Sequence, residues 1–344
     1  MKMKKYCNIL CNFLLIIGIA SCSNSEWEFD DFDYTASYFP YQFPLRTLVM
    51  DDTYSIDNSN DLQMRFLISA AMGGGYENEK DQNIQFEIDE SLTQGLYSES
   101  GNPILPLPSN YYSITNSNNT LIIPKGKFDG SIEVQLTDAF FDDSLSTELN
   151  YVLPVKLIAA DTDSMLMGRP ISDNADPRIA EDWEIIPKHY TLFGIKYVNK
   201  YHGSYLLRGK STVKDMAGQQ MDNIIYHQNY VVDNEVVRLN TIYKKSVIYS
   251  NELRLSEGSP GTFKFVIDFT NEENGTIHET KDSDFAVTGN AQFQVDGDEW
   301  GGKRRNAIYL DYEINDGNYI HSIKDTLVFR DKNVQFEEYL PVVQ

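Results

Sequence analysis

The sequence predicts an all-β protein made of two domains. After residue 35, apolar and polar side chains alternate with a period of two through most of the chain, a pattern typical of half-buried strands. Clusters of glycine, proline and asparagine separate the alternating runs, and no run after that point has the periodicity of a long helix. The 344 residues are enough for two such domains, each with a core of its own.

The beginning of the chain has the organisation of an export signal. Three lysines lie within the first five residues, and residues 9–19 form an apolar stretch that is too short to span a bilayer. Small residues then precede Cys22. This arrangement predicts a signal peptide over residues 1–21, cleavage before Cys22 and lipidation of its thiol. The alternative is an ordinary signal peptide in which the cysteine is incidental.

Residues 22–35 read as a lipidated, acidic tether. Five acidic residues lie between positions 26 and 33, among small polar residues that do not favour a folded core. This acidic run resembles the surface-export signal of lipoproteins in gut Bacteroidetes. The resemblance implies a lipid-anchored protein of the outer membrane that faces the extracellular side, whereas a plain linker would leave the protein facing the periplasm.

Residues 36–160 predict an immunoglobulin-like β-sandwich. Alternation is clear over 63–72, 84–88 and 132–136, and turn-forming residues separate these strands. About seven short strands in a segment of this length favour two packed sheets. Residues 161–190 carry several aspartates and prolines with little alternation, which indicates a linker.

Residues 191–344 predict a second β domain with longer strands. The run 306–314 alternates throughout, and Asp316 and Gly317 then form a hairpin signal because this pair tolerates the positive φ of a tight turn. About nine strands with long hairpins form either a second β-sandwich or a lipocalin-like barrel. The sequence leaves both architectures open.

Charge and cysteine content exclude several classes of function. The formal net charge is −22, so the surface disfavours nucleic acid and anionic lipid head groups, and suits a neutral or cationic ligand. Polyanionic substrates are disfavoured as well, unless a local basic patch forms. Cys7 and Cys11 lie in the predicted signal peptide, and Cys22 would carry lipid. The mature body therefore has no disulfide, no cysteine-ligated zinc and no cysteine nucleophile.

Several motifs resemble a two-domain family of Bacteroidetes surface lipoproteins. The first half resembles an N-terminal immunoglobulin-like family of unknown function in the segments YFPYQFPLRTL at 38–48, LPSNYY at 107–112, IPKG at 123–126, LTDAFF at 136–141 and YVLP at 151–154. The second half resembles the companion C-terminal β family in PKHYTLF at 187–193, KYVN at 196–199, YHGSY at 201–205 and RGK at 208–210. Together these segments extend over nearly the whole mature chain.

The resemblance implies an accessory lipoprotein of a starch-utilisation-like (Sus-type) glycan-uptake locus. Its partners would be a polysaccharide or oligosaccharide and a SusC/SusD-like transporter complex, with the outer membrane contacted through the lipid anchor. The expected function is capture of a glycan at the cell surface without catalysis. The alternative is a structural adaptor of the uptake complex that binds no sugar, and a glycoside hydrolase is the least favoured reading. The family supplies no catalytic or binding residues.

The sequence offers no specific signal for catalysis. It has no Gly-x-Ser-x-Gly elbow, no His-Glu-x-x-His metal motif and no phosphate-binding loop. A glycosidase needs only two suitably spaced carboxylates, and 51 acidic residues make any nominated pair uninformative. Asp296 and Asp298 provide only a short piece of a calcium loop. We therefore expect no enzyme activity, no cofactor and no metal site.

The best candidate for a sugar-binding site surrounds Trp300. Sugar rings stack on exposed aromatic side chains, while charged and amide groups bind their hydroxyls. Trp300 is followed by two glycines and surrounded by charges of both signs, in a stretch that reads as a loop between strands. The predicted site is Trp300 with Asp298 and Arg304. The alternative is that Trp300 anchors the loop by packing.

Overall fold

The computed structural model describes residues 34–259 and 261–344. The predicted signal peptide, Cys22 and nearly all of the tether lie outside these residues. Strand accounts for 54% of the structure, so the all-β prediction is confirmed. In the described part of the chain, no helix is long and apolar enough to cross a membrane.

The first part of the chain forms short strands and a few single helical turns. The strands are β1 (Ala36–Tyr38), β2 (Pro44–Met50), β3 (Arg65–Gly73), β4 (Gln82–Ile88), β5 (Leu96–Tyr97), β6 (Leu105–Pro106), β7 (Tyr112–Ile114), β8 (Thr120–Ile123), β9 (Asp129–Leu136), β10 (Tyr151–Ala160), β11 (Ser164–Met165), β12 (Arg169–Pro170), β13 (Trp183–Ile185) and β14 (Tyr190–Asn199). The helices are α1 (Ser59–Leu62) and α2 (Asp138–Phe141), with 3₁₀ turns at Glu90–Thr93, Ser117–Asn119, Ser144–Thr147 and Ala180–Asp182.

The second part has longer strands. They are β15 (Gly203–Asp215), β16 (Gln220–Tyr226), β17 (Glu235–Tyr243), β18 (Ser246–Glu252), β19 (Thr262–Phe269), β20 (Asn274–Glu279), β21 (Ala286–Trp300), β22 (Lys303–Asn315), β23 (Tyr319–Asp331), β24 (Glu337–Glu338) and β25 (Val342–Val343). A single 3₁₀ turn at Val231–Asp233 precedes β17.

Two sheets form the N-terminal sandwich. One has the strand order β11-β1-β3-β9-β7, and the other has the order β24-β2-β14-β10-β4-β8, with β6 beside β10. Alternating residues of each strand point into a shared core. In β9, for example, Ile132 and Val134 are both fully buried. Ile132 and Val134 pack in the same cluster as Phe86 of β4 and Leu153 of β10, which belong to the other sheet.

The structure differs from the predicted domain boundary at residue 191. Strand β14 lies inside the N-terminal sandwich, where it pairs in parallel with β2 and antiparallel with β10. Most residues of β14 are buried on both faces of the strand, because a second cluster that includes Leu192 and Tyr339 covers the outer face. A strand buried on both sides lacks clear alternation, and its parallel neighbour is far away in the sequence. For these two reasons, the sequence did not indicate that β14 belongs to the N-terminal sandwich.

The predicted linker over residues 161–190 is folded onto the sandwich. Strand β11 pairs in parallel with β1, and β12 and β13 form a small two-stranded sheet. The Arg178 guanidinium donates hydrogen bonds to the carbonyl oxygens of Leu92 and Gln94, which ties the segment to the first domain. After the second domain, β24 pairs with β2 and β25 pairs with β5, so the C-terminal tail also returns to the sandwich.

The second domain is a closed antiparallel barrel. Consecutive strands from β17 to β23 are neighbours, and β15 closes the ring by pairing with both β17 and β23. Strand β16 is an additional hairpin strand along the second half of β15. Of the two architectures that the sequence left open, the structure has the barrel. Its interior is filled by side chains, with Tyr201 stacked on Phe269 at a centroid distance of 3.6 Å, so the described interior is a packed core.

Candidate functional site

A cleft of about 690 Å³ lies at the junction of the two domains. One wall is the segment 51–56, which follows β2 of the sandwich. The other wall is built from residues 295–296 and 304–306 of the β21–β22 hairpin and from residues 329–334 at the end of β23. Ligand sites often form at domain interfaces because two surfaces there create a concave shape that neither domain has alone.

The β21–β22 hairpin is more regular than the predicted loop. Trp300 pairs directly with Lys303, so only Gly301 and Gly302 form the turn. Both glycines have positive φ, +61° and +69°, as a type I′ turn requires. A bulge interrupts the pairing between Gln294 and Asp298 and bends the hairpin toward the cleft wall. The charged and aromatic residues near Trp300 therefore lie on strands and not in a flexible loop.

The structure separates the three predicted site residues into two faces of this hairpin. Asp298 lies opposite Arg305 and Trp300 opposite Lys303, so these four side chains share one face. Arg304 lies opposite Glu299 and belongs to the other face. It lines the cleft and donates a hydrogen bond to the carbonyl oxygen of Asp296.

Trp300 and Asp298 both have protein partners. The Trp300 indole N–H donates to the carbonyl oxygen of Phe329 at 2.9 Å, and the Arg305 guanidinium lies over the indole ring at 4.5 Å from its centroid. Asp298 accepts a charge-assisted hydrogen bond from Arg208 of β15. The indole is partly buried, so it links the hairpin to β23 and holds Arg305 at the edge of the cleft.

A buried ion pair forms the base of the cleft. Lys332 Nζ lies 2.7 Å from Asp51 Oδ2, and both side chains are almost completely buried. The other carboxylate oxygen of Asp51 accepts hydrogen bonds from the backbone N–H and the hydroxyl of Thr53. Burial lowers the pKa of Lys332, although the Asp51 carboxylate acts in the opposite direction. Because Asp51 belongs to the sandwich and Lys332 follows the barrel, this pair joins the two domains.

Apolar groups line the cleft beside the charged ones. Tyr54, Val295 and Phe329 contribute apolar surface, and Ile56 is 62% exposed. Asn306 crosses between the walls, where its amide donates to the Thr53 hydroxyl at 2.9 Å. The site thus combines apolar patches with amide, carboxylate and guanidinium groups, as surfaces that bind sugar rings do.

Two of the segments that line this cleft could not be identified from the sequence. Tyr54 and Ile56 lie in an unremarkable segment after β2, and Arg330 and Lys332 follow a strand in the other half of the chain. No spacing rule connects positions so far apart. A buried lysine after the last barrel strand could have been suspected only if the partner carboxylate had been known.

A second polar cluster is enclosed in the barrel. Asp325 occupies an inward position of β23 between Ile323 and Leu327 and is 3% exposed. Its carboxylate accepts hydrogen bonds from the Tyr312 hydroxyl, at 2.8 Å, and from the Tyr226 hydroxyl. Burial raises the pKa of Asp325 to about 6, although the two tyrosine hydrogen bonds act in the opposite direction.

Side chains that could bind a metal do not cluster within residues 34–259 and 261–344. No group of three or more histidine, cysteine, aspartate or glutamate side chains there could hold a metal ion. Asp298, half of the calcium fragment considered from the sequence, is paired with Arg208.

Comparison with known proteins finds a family model that matches each domain. Residues 32–164 match a family model for an "N-terminal domain", and residues 200–333 match "Domain of unknown function (DUF5627)". A structural-genomics protein of unknown function from Bacteroides ovatus is 36% identical, and the match covers 91% of this chain and 100% of that one with a TM-score of 0.86. The chain belongs to the family of this Bacteroides ovatus protein. Its two domains correspond to two separate domain families.

More distant structures share less of the architecture. A second structural-genomics protein of unknown function from Bacteroides ovatus is 13% identical, covering 88% of this chain and 99% of that one with a TM-score of 0.46. An auxiliary nutrient binding protein from Bacteroides thetaiotaomicron is 14% identical, covering 83% and 90%, with a TM-score of 0.36. These scores are too low to transfer a function. No curated protein matches the chain.

Proposed function

We propose that this protein is a cell-surface lipoprotein that binds a polysaccharide or oligosaccharide in the interdomain cleft without cleaving it. The observation that supports this is the lining of the cleft, where Tyr54, Ile56 and Phe329 lie beside Arg304 and Asn306. Apolar surface favours the C–H faces of a sugar, and the polar groups can bind its hydroxyls.

Several features favour binding over turnover. Two of the three aspartates that line the cleft lie within ion-pair distance of a cation, Asp51 of Lys332 and Asp331 of Arg330. A glycosidase needs one protonated carboxyl and one free carboxylate on either side of the scissile bond. A carboxylate beside a cation is poorly suited to act as the general acid, because the cation stabilises its ionised form.

The cellular role follows from the start of the chain. Lipid on Cys22 would anchor the protein in the outer membrane, and the acidic residues after it would direct it to the extracellular side. Captured glycan would then pass to a SusC/SusD-like transporter complex.

One observation favours the adaptor alternative. Tyr41 and Phe336 form an aromatic pair with ring centroids 5.3 Å apart, and they are 50% and 63% exposed. Leu340, in the same C-terminal tail, is 66% exposed. Exposed apolar side chains that lie together are typical of protein contacts as well as of ligand sites. In the adaptor reading, these residues would contact the uptake complex and the cleft would bind no sugar.

Calorimetric titration of the protein against a panel of polysaccharides tests the proposal. We expect heat of binding with at least one glycan, and a 10- to 100-fold loss of affinity for Tyr54→Ala, since loss of an aromatic binding residue costs about 1–3 kcal/mol. Trp300→Ala should also weaken binding, because it removes the ring that holds Arg305 at the edge of the cleft. Tyr230→Ala is the matched control, because Tyr230 is 71% exposed and lies outside the cleft.

The outcomes separate the alternatives. Absence of binding to every glycan would favour the adaptor. Binding that is unchanged in both variants would keep the binding function and place the site elsewhere. Reducing-end assays on the same mixtures would reveal hydrolysis if the protein were an enzyme after all.

A further inference from the structure

The cleft has a charge opposite in sign to that of the rest of the protein. The whole chain has a formal net charge of −22. The side chains that line the cleft nevertheless include four basic residues, Arg304, Arg305, Arg330 and Lys332, against three aspartates at positions 51, 296 and 331. From this contrast we infer that the cleft binds an acidic sugar unit, one that carries a carboxylate or a sulfate. This inference rests on the proposed glycan-binding function and specifies the class of glycan.

Two of the three aspartates are already neutralised. Asp51 is paired with Lys332, and its second oxygen accepts the hydrogen bonds of Thr53. Asp331 lies 3.6 Å from Arg330, and it also accepts a hydrogen bond from the backbone N–H of Asn333. These carboxylates therefore add little negative potential to the space that a ligand would occupy.

Arg304 and Arg305, by contrast, lack a carboxylate partner. In the part of the chain that the structure describes, neither guanidinium has an acidic oxygen within ion-pair distance. The acid opposite Arg305, Asp298, is taken by Arg208, and Glu299, opposite Arg304, forms no ion pair with it. Arg305 Nε is shielded from solvent and has no hydrogen-bond acceptor among the described residues. A buried donor without an acceptor is costly, and a ligand oxygen would remove that cost.

Both guanidinium groups are held in position before any ligand arrives. Arg305 stacks on Trp300, and Arg304 is tied to the Asp296 carbonyl oxygen. Each group has more N–H donors than these contacts use. A planar guanidinium matches the two oxygens of a carboxylate or sulfate, and pre-orientation reduces the entropy lost on binding. Trp300 thus contributes to the site by orienting Arg305.

The acidic character of the whole protein does not prevent anion binding in the cleft. At physiological ionic strength, charges more than about 8 Å apart across solvent are largely screened. The local pair of arginines then outweighs distant acidic residues. The surrounding negative surface would still repel the parts of an acidic polymer that lie outside the cleft, so binding depends on the contacts made by the two arginines.

The test is binding of the full mature chain to three polysaccharides of different charge. Polygalacturonate carries only carboxylates, κ-carrageenan only sulfates, and pullulan is neutral. We expect the protein to bind one of the two acidic polymers more tightly than pullulan, with an affinity that falls as salt is raised from 50 to 500 mM. The polymer that binds distinguishes carboxylate from sulfate as the recognised group.

Variants locate the binding in the cleft. Arg304→Gln/Arg305→Gln should weaken binding of the acidic polymer by about 10- to 100-fold, since it removes two charge-assisted contacts. Arg304→Lys/Arg305→Lys keeps both charges and should retain an intermediate affinity. The matched control is Lys125→Gln/Arg169→Gln, which removes two exposed charges outside the cleft and should leave affinity unchanged.

Each result has a distinct meaning. Tight, salt-independent binding of a neutral glycan would overturn the inference and leave the proposed function intact. Binding of an acidic polymer that is equally weakened in the control variant would show general charge attraction and also overturn it. Failure to bind any glycan would refute the proposed function itself. If the glutamine variant does not fold, the salt dependence of the unaltered protein and the lysine variant still decide the matter.

Discussion

The buried carboxylate of Asp325 should make the stability of the protein depend on pH in a way that Asp325→Asn removes. Asp325 is 3% exposed inside the barrel, where the hydroxyls of Tyr226 and Tyr312 donate to its two oxygens. Burial raises its pKa from the usual 3.8 to about 6. The carboxyl is therefore easier to protonate in the folded protein than in the unfolded chain.

The size and sign of the effect follow from this difference. Between pH 4 and 6 the folded state holds a proton on Asp325 that the unfolded state has released. The stabilisation is complete below pH 4 and is lost as the pH rises through 6. Two pH units correspond to about 3 kcal/mol in the free energy of unfolding. The Asp325→Asn variant has no ionisable group at this position. The difference in the free energy of unfolding, variant minus unaltered protein, should therefore rise by about 3 kcal/mol from pH 4 to 7.

A constant offset accompanies the pH-dependent change. The amide of Asp325→Asn has one acceptor oxygen and therefore loses a hydrogen bond from one of the two tyrosines, at a cost of about 1–2 kcal/mol at every pH. The assay is urea unfolding followed by tryptophan fluorescence, at half-unit steps from pH 4 to 8. His202, whose pKa burial lowers to about 4, changes stability in the opposite direction over this range. It is present in both proteins and cancels in the difference.

Asp311→Asn is the matched control. Asp311 pairs with Lys324 on the outer surface of the same barrel, and its side chain is 63% exposed. Exposed pairs contribute little, so this variant should differ from the unaltered protein by less than about 1 kcal/mol at any pH. A difference for Asp325→Asn that is flat from pH 4 to 7 would refute the argument from burial. That flat result would mean that the tyrosine hydrogen bonds offset burial, because a folded-state pKa at or below 3.8 changes stability only at lower pH.

Three further perturbations test other parts of the structure. Gly209→Ala would place a methyl group 2.2 Å from the Asp325 carboxylate and 2.6 Å from the Lys324 carbonyl oxygen, so we expect a loss of about 1–3 kcal/mol in urea unfolding. Lys332→Met would leave Asp51 buried without its cation and should cost about 3–5 kcal/mol by calorimetry; adding Asp51→Asn should recover part of the loss. Cys22→Ala should abolish fatty-acid labelling and move the protein from the detergent phase to the aqueous phase, whereas continued labelling would contradict the assignment of the anchor.

The alternation of apolar residues was sufficient to predict most strands that have one buried face. Ile132 and Val134 of β9 are inward-facing, as their spacing indicates, and Ile308 and Leu310 of β22 behave in the same way. Alternation is a local property, because successive side chains point to opposite faces of a strand. The fold class could therefore be predicted without knowledge of any distant contact.

Pairings between distant segments could not be predicted. Strand β14 joined the first domain because it pairs with β2, more than a hundred residues earlier, and because the C-terminal tail covers its outer face. The closure of the second domain into a barrel depends on the pairing of β15 with β23, at opposite ends of that domain. Alternation indicates which face of a strand is buried but not which strand lies beside it.

The candidate site shows the same division between local and distant information. From the sequence, Trp300, Asp298 and Arg304 could be selected as an aromatic residue among charges, and an export signal that ends at Cys22 could be predicted. Only the tertiary structure placed Tyr54 opposite the hairpin and turned Arg304 to the face away from Asp298. The tertiary structure also determines the charge of the cleft. A carboxylate contributes less negative potential when a cation lies beside it, and that cation can come from a distant part of the chain.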